Sequence, residues 1–259
     1  MPVIATALPA LPEVQPGDDL GALIVDAWRA AIDPDATLQP QTDDVLVVTQ
    51  KIVSKAEGRL VDLTTIEPRP EAVEFAARWD RDARQVEAVL RESAEILRME
   101  RGIVISRTHH GFVCANAGID ASNTGNRDIV TLLPEDPDAS AVRIRARIAE
   151  LMDLDEQTTP AVIVSDSFGR PWRFGIVDVA LGVAGIAPLH DLRGAPDADG
   201  RVMHSTVVAV ADQICSAAEL AAGKTSRQPA VLVRGIAIHA REGSVREDVV
   251  MPPSMDLFR

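Results

Sequence analysis

Two short polar runs carry the groups best suited to chemistry on phosphate. In the first, the apolar residues Phe112, Val113 and Cys114 give way to a glycine- and alanine-rich loop that presents Asp120, with Ser122, Asn123 and Thr124 just behind it. In the second, the apolar run 161–164 leads through Ser165 into Asp166-Ser167-Phe168-Gly169-Arg170-Pro171-Trp172-Arg173. Small residues let a backbone approach a ligand closely, and Asp, Asn and Ser supply the hard oxygen donors that magnesium or manganese accepts. Two carboxylates at the ends of two strands, with arginine and lysine nearby, suit metal-assisted phosphoryl transfer, in which cations offset the charge that develops on the moving group. The structural alternative is that each aspartate only ends its strand as a turn former.

Cations come next. Lys51 and Lys55 follow a buried-strand run at 45–48 and lie four residues apart, so they share a face whether the segment is helical or extended. There they would meet a nucleotide phosphate, or else sit as solvated lysines. The adjacent His109 and His110 are expected as turn residues, because neighbours in an extended segment point opposite ways. Gly223-Lys224-Thr225-Ser226 lacks the glycine spacing of a Walker A loop.

Stepping from these residues to the chain that must place them, 259 residues with 46% hydrophobic content suffice for a large core. Lys and Arg total 26 against 39 Asp and Glu, a formal net charge of -13, which argues against sequence-independent nucleic-acid binding. Aromatics are 3% with no tyrosine, which removes stacking platforms for single strands. The only cysteines, Cys114 and Cys215, suggest neither a disulfide framework nor a zinc cluster. No apolar run is long and uncharged enough to span a membrane, and the N-terminus lacks a basic region followed by an apolar one, so a cytoplasmic protein is expected.

The patterning predicts an α/β (α+β) protein with a mixed sheet. Strands are expected at 3–8, 45–48, 60–63, 103–105, 112–114, 128–133, 162–165 and 229–235. Helices are expected from Leu20, capped by Asp18 or Asp19, and over 71–79, 83–98, 206–222 and the stretch after Pro137. In the helix capped by the turn at 134–138, where Ile144, Ile148, Leu151 and Met152 line up, the polar face carries Arg143, Arg145 and Arg147, read as a solvated surface or a subunit contact. Periodicity leaves 175–185 open between strand and helix. The polar loop 188–201 is of a length that is usually functional or disordered.

Several of these runs together identify a family. Residues 47–59, 117–123, 165–173 and 191–194, with Leu11-Pro12-Glu13 and Pro16-Gly17-Asp18-Asp19-Leu20 near the start, resemble the coenzyme F-420 gamma-glutamyl ligase family over nearly the whole chain. The resemblance implies a family-specific ligase fold, an intertwined homodimer, and a GTP-dependent ligase that adds L-glutamate to the deazaflavin precursor of coenzyme F-420 and then further gamma-linked glutamates. It implies Mg2+ or Mn2+ at two sites and an activating K+. By position, Asp120, Asp166 and Ser167 resemble the metal ligands; Leu11, Pro12, Glu13, Val14, Gln50, Lys55, Asn123 and Gly223 resemble the nucleotide site; and Lys55, Asp120 and Asp166 are the expected catalytic groups. Position 167 is Ser where Thr is expected in many members, and the hydroxyl and backbone carbonyl survive that change. The chain is expected to be one ligase unit, divisible into two subdomains, without the C-terminal flavin-binding domain of some relatives. Competing readings are a metal-dependent phosphohydrolase or nucleotidyltransferase using the same aspartates, and a non-catalytic nucleotide-binding subunit.

Overall fold

The computed structural model describes residues 2–121 and 128–257. Strand β1 (Ile4–Ala7) leads through a proline- and glycine-punctuated connection to α1 (Leu20–Ile32), whose N-cap Asp19 accepts a hydrogen bond from the Ala22 backbone N–H. The apolar stripe of α1 buries Leu20, Ile24 and Trp28, and the Trp28 indole donates to the Leu38 carbonyl at 2.8 Å, so this large side chain is buried with its one polar atom satisfied. Strand β2 (Val45–Thr49) turns directly into α2 (Gln50–Ala56), which settles the Lys51 and Lys55 segment as a helix. Next come β3 (Leu60–Asp62), α3 (Pro70–Trp79) and α4 (Ala83–Arg91).

The helix expected over 83–98 is corrected here: α4 stops at Arg91, and β4 (Ser93–Glu100) pairs antiparallel with β5 (Ile103–Thr108) through a turn at Arg101 and Gly102. A helical stripe that agrees up to Leu90 masked the switch to strand beyond Glu92. Strand β6 (Val113–Ala115) completes this three-stranded sheet, and β7 (Ile129–Thr131) pairs with β3. Helix α5 (Pro137–Met152) is capped by Asp136, whose carboxylate accepts from the Ala139 N–H, with Pro137 at its first position.

The remaining elements are β8 (Ala161–Arg170), β9 (Arg173–Ala184), β10 (His190–Asp191), β11 (Val207–Val208), α6 (Val210–Ala222) and β12 (Ala230–Arg234). The undecided run 175–185 is strand, part of β9. The helix expected from 206 begins only at Val210, because Val207 and Val208 pair instead with His190 and Asp191, so the polar loop is a hairpin base rather than structureless.

The main sheet has the order β1-β12-β2-β8-β9 and is mixed: β2 and β8 run parallel, and the other neighbours are antiparallel. Its central strands read as continuous apolar runs because both faces are covered. On one face Leu46, Val48, Val162 and Val164 pack against α1 and α5; on the other Val45, Val47, Ile163 and Val231 pack against α6. Gly182 of β9 lies under the start of α5, where an added Cβ would come within 2.1 Å of the Pro137 carbonyl carbon, so only glycine fits this crossing. Separate apolar clusters join α3 and α4 to the three-stranded sheet. Among the described residues no helix is long and apolar enough to cross a membrane.

Candidate active site

Strand β8 places the chemistry. Successive side chains on a strand point to opposite faces, so Val162, Val164, Asp166 and Phe168 share the α5 face, while Ile163, Ser165 and Ser167 share the α6 face. Asp166 therefore stands within the strand rather than in a loop after it, which corrects the sequence expectation; β8 continues as one arm of a hairpin to Arg170.

Asp120 reaches the same region from a different element. Before it, Asn116 and Ala117 both have φ 52°, and Gly118 has φ 70°, a left-handed run that non-glycine residues rarely adopt. Asn116 is tied down by its Oδ1, which accepts from the Val104 N–H at 3.1 Å, and an added Cβ at Gly118 would meet the Leu133 side chain at 2.8 Å. Asp120 is then clamped by its backbone: its N–H donates to the Thr131 carbonyl at 3.1 Å and its carbonyl accepts from the Thr131 N–H at 2.8 Å. Its carboxylate holds Lys51 Nζ at 2.6 Å. Burial pushes the Asp166 carboxyl up to about 7, and the negative charges of Asp120 and Asp178 add to it against the Ser167 N–H and Lys51. The structure thus brings Asp120, Asp166 and Lys51 into one electrostatic group. Cys114, buried beside it, is pushed up to about 12, chiefly by desolvation and then by Asp166, which makes it an inert thiol.

The residues expected at a nucleotide site are placed separately. Lys55 is buried on α2 and ion-paired with Glu13, so it joins the Leu11, Pro12, Glu13, Val14 segment to α2 and is not a solvated lysine. Gln50 is fully buried, and its Nε2 donates to Ser54 Oγ at 2.5 Å and to the Leu132 carbonyl at 3.0 Å. Gly223 caps α6 with φ 70° and leaves open space around it. Asn123 lies outside the described residues, as do Ser122 and Thr124.

The α6 face holds a network that sequence reasoning missed. Ser167 Oγ donates to Asp178 Oδ1 at 2.5 Å, and Lys224 Nζ contacts Ser167 Oγ, Asp178 Oδ1 at 2.9 Å and Glu219 Oε1 at 2.5 Å. The Asp178 backbone N–H donates to Glu219 Oε2 at 3.2 Å. The signal for Asp178 was a lone acid inside an apolar strand run; Lys224 had been weighed only against the Walker A pattern. Of the other arginines, Arg193 is occupied by Asp191, and Arg143, Arg145 and Arg147 pair with Glu57, Glu156 and Asp19.

A buried carboxylate whose proton affinity is raised by desolvation and by the charge of a second carboxylate is a place where added positive charge is favoured. Among the described residues no group of three or more His, Cys, Asp or Glu side chains could hold a metal by itself. A divalent ion at Asp120 and Asp166 would therefore draw its other ligands from phosphate and water, the usual arrangement for magnesium at a nucleotide, so the donor set fits.

This mixed α/β chain, with its aspartate pair and neighbouring lysine, is related in sequence to ligases. The chain is a member of the F420-0:Gamma-glutamyl ligase family, whose model matches residues 10–235. It is 41% identical over 251 residues to the coenzyme F420:L-glutamate ligase of Methanothermobacter thermautotrophicus, covering 96% of each chain. It is likewise similar to the proteins of the same name from Methanopyrus kandleri, 40% identical over 95% of this chain and 94% of the relative, and Haloarcula marismortui, 39% identical over 98% and 94%.

Proposed function

We propose that the protein is a GTP-dependent ligase that joins L-glutamate to the deazaflavin precursor of coenzyme F420 and then adds gamma-linked glutamates. The observation that carries the reading is the Asp120, Asp166 and Lys51 group, in a chain whose relatives are named as L-glutamate ligases. A free carboxylate is a poor acyl donor, so the acceptor carboxylate oxygen first takes the GTP γ-phosphoryl group and GDP leaves. The glutamate amine then attacks the acyl carbon and loses a proton, the C–O bond to phosphate breaks, and the amide forms with release of inorganic phosphate.

Asp120 and Asp166 would hold Mg2+ or Mn2+, and Ser167 is a further ligand by family likeness alone, its hydroxyl being engaged by Asp178 and Lys224 on the opposite face; when bound, the ions would offset charge on the β- and γ-phosphates. Lys55, on the same helix as Lys51, would neutralise charge on the moving phosphoryl group, and the segment from Leu11 to Glu13 with Gly223 would bound the nucleotide. An activating K+ belongs to the reading by family likeness alone. A homodimer in the cytoplasm also belongs to it: the β8–β9 hairpin carries Trp172, Phe174 and Ile176 exposed, and Phe174 is fully so, which suits burial against a second copy.

The test is mass spectrometry of the deazaflavin precursor incubated with the protein, GTP, L-glutamate, Mn2+ and K+. Stepwise addition of glutamyl units that requires GTP supports the reading; GTP consumption without glutamyl addition overturns it in favour of a phosphohydrolase.

A further inference from the structure

A cavity of about 250 Å³ opens against the β8–β9 hairpin, and neither the family likeness nor the nucleotide reading gives it an occupant. It lies between the β5–β6 turn, the start of α5 and the single turn of π-helix at Val245–Val249. Two contacts connect it to the catalytic strand. Leu181, in its wall, is the extra residue of the β9 bulge opposite Ser165, one position before Asp166. Phe112, also in its wall, meets Phe168 edge-on at 6.1 Å, and Phe168 is two residues beyond Asp166 on the same face.

The lining is neither uniformly basic nor acidic. Arg59 is fully engaged, by the Leu133 carbonyl and Glu92, but the Arg246 guanidinium has only Glu247 at 4.0 Å among the described residues. Opposite charge comes from Glu135, exposed and 3.5 Å from Arg59, and from Glu92, Asp136 and Asp138, which are already held by Arg59, by the Ala139 N–H and by the Ser244 hydroxyl with neighbouring backbone N–H groups. His110 stacks on Phe112 and has Nε2 2.8 Å from the Pro134 carbonyl, which makes Nε2 the protonated nitrogen. Its Nδ1 is then a lone-pair acceptor, buried and without a partner. A buried unpaired acceptor is costly, and a ligand N–H would satisfy it. Burial also lowers the His110 pKa, so the ring is neutral and Nδ1 is available.

A weakly held guanidinium, a carboxylate and a neutral acceptor around two apolar side chains is the lining an amino-acid zwitterion needs. Resting on the ligase reading above, we infer that this cavity binds the incoming L-glutamate, with Arg246 taking a carboxylate, Glu135 and His110 Nδ1 taking the ammonium group, and Phe112 and Leu181 covering the methylene stem. The Phe112–Phe168 contact ties this cavity to β8, the strand that carries Asp166. Arg246 lies beyond the matched span 10–235.

The experiment pairs equilibrium dialysis of radiolabelled L-glutamate against the full-length protein with steady-state kinetics, for wild type, Arg246→Ala, Arg246→Lys and Glu135→Lys. Arg246 and Glu135 are surface positions, and the lysine at 246 keeps the charge while losing the fork. The expected result is a glutamate Kd and KM raised roughly ten- to a hundredfold in Arg246→Ala and Glu135→Lys, a smaller rise in Arg246→Lys, and a KM for GTP within about twofold of wild type. Glutamate binding unchanged in both Arg246→Ala and Glu135→Lys overturns the inference. Dialysis reads binding without turnover, so loss of this site and failure of the ligase reading, seen as no glutamyl addition by wild type, are separate results.

Discussion

Lys51 Nζ and Asp120 Oδ2 lie 2.6 Å apart, one from the first turn of α2 and the other from the loop clamped to β7, and this ion pair is the link through which α2 meets the acidic loop. Because Lys51 lowers the proton affinity of Asp166 while Asp120 raises it, the two residues tune a third in opposite directions.

The first prediction follows from that opposition. Lys51→Met should move the Asp166 titration above 7, and Asp120→Asn should move it below, after the dominant effect of burial is left in place in both. Carbon-13 NMR of labelled aspartate carboxyls reads each direction. Asp120→Asn and Asp166→Asn should also cut glutamylation by about a hundredfold or more while leaving the fold intact, and chelation of divalent ions should do the same to the wild type.

The second concerns stability against pH. The Asp166 carboxyl titrates at about 7 in the folded chain against 3.8 as an ordinary carboxyl, so the folded state keeps a proton that the unfolded state gives up. Its contribution to stability is fully present below about 3.8 and is lost as pH rises through 7. Without added metal, Asp166→Asn should therefore be more stable than wild type at pH 8, by about 1–3 kcal/mol, with the difference vanishing by pH 4. Urea melts at the two pH values decide it.

Glu87 has the opposite sign. Its buried carboxylate resists ionisation through desolvation, yet hydrogen bonds from Arg69 and Arg91 outweigh this and hold it down at about 2, against an ordinary 4.5. Its stabilisation is present above 4.5 and is lost as pH falls toward 2. Glu87→Gln should cost about 2–3 kcal/mol at pH 7 and flatten the acid limb of the stability profile, measured by thermal unfolding.

The hairpin prediction tests assembly. Phe174→Glu should convert a dimer to a monomer in sedimentation equilibrium without lowering the far-ultraviolet helix signal, because Phe174 is fully exposed and packs on nothing in its own chain. A dimer unaffected by this change and by Trp172→Glu removes the hairpin from the interface.

Much of the fold was legible because its central strands are apolar on both faces and its helices carry clear caps: Asp19 and Asp136 announce α1 and α5. What was not legible has physical causes. The α4–β4 boundary fell where helical and strand periods briefly agree, and Val207 and Val208 were drawn from helix into a ladder by partners near residue 190. The grouping of Asp120 with Asp166 was legible, because both stand in runs with distinctive composition, whereas the lysine beside them is Lys51, and Lys55 pairs with Glu13. Asp178, Glu219 and the cavity around Arg246 were not legible, because their neighbours are supplied by β8, the β5–β6 turn and α5, far away in sequence.

The bulge at Leu181 has a sorting effect. Because β9 spends one residue outside the ladder there, Asp178 comes to stand opposite Ser167 and shares its face with Glu219 and Lys224. Had Leu181 been taken into regular pairing, every earlier residue of β9 would have shifted by one, and Asp178 would stand opposite Phe168, on the side of Asp166. A single unpaired residue thus sets Asp178 with Glu219 and Lys224 on one face and leaves Asp166 with Asp120 and Lys51 on the other.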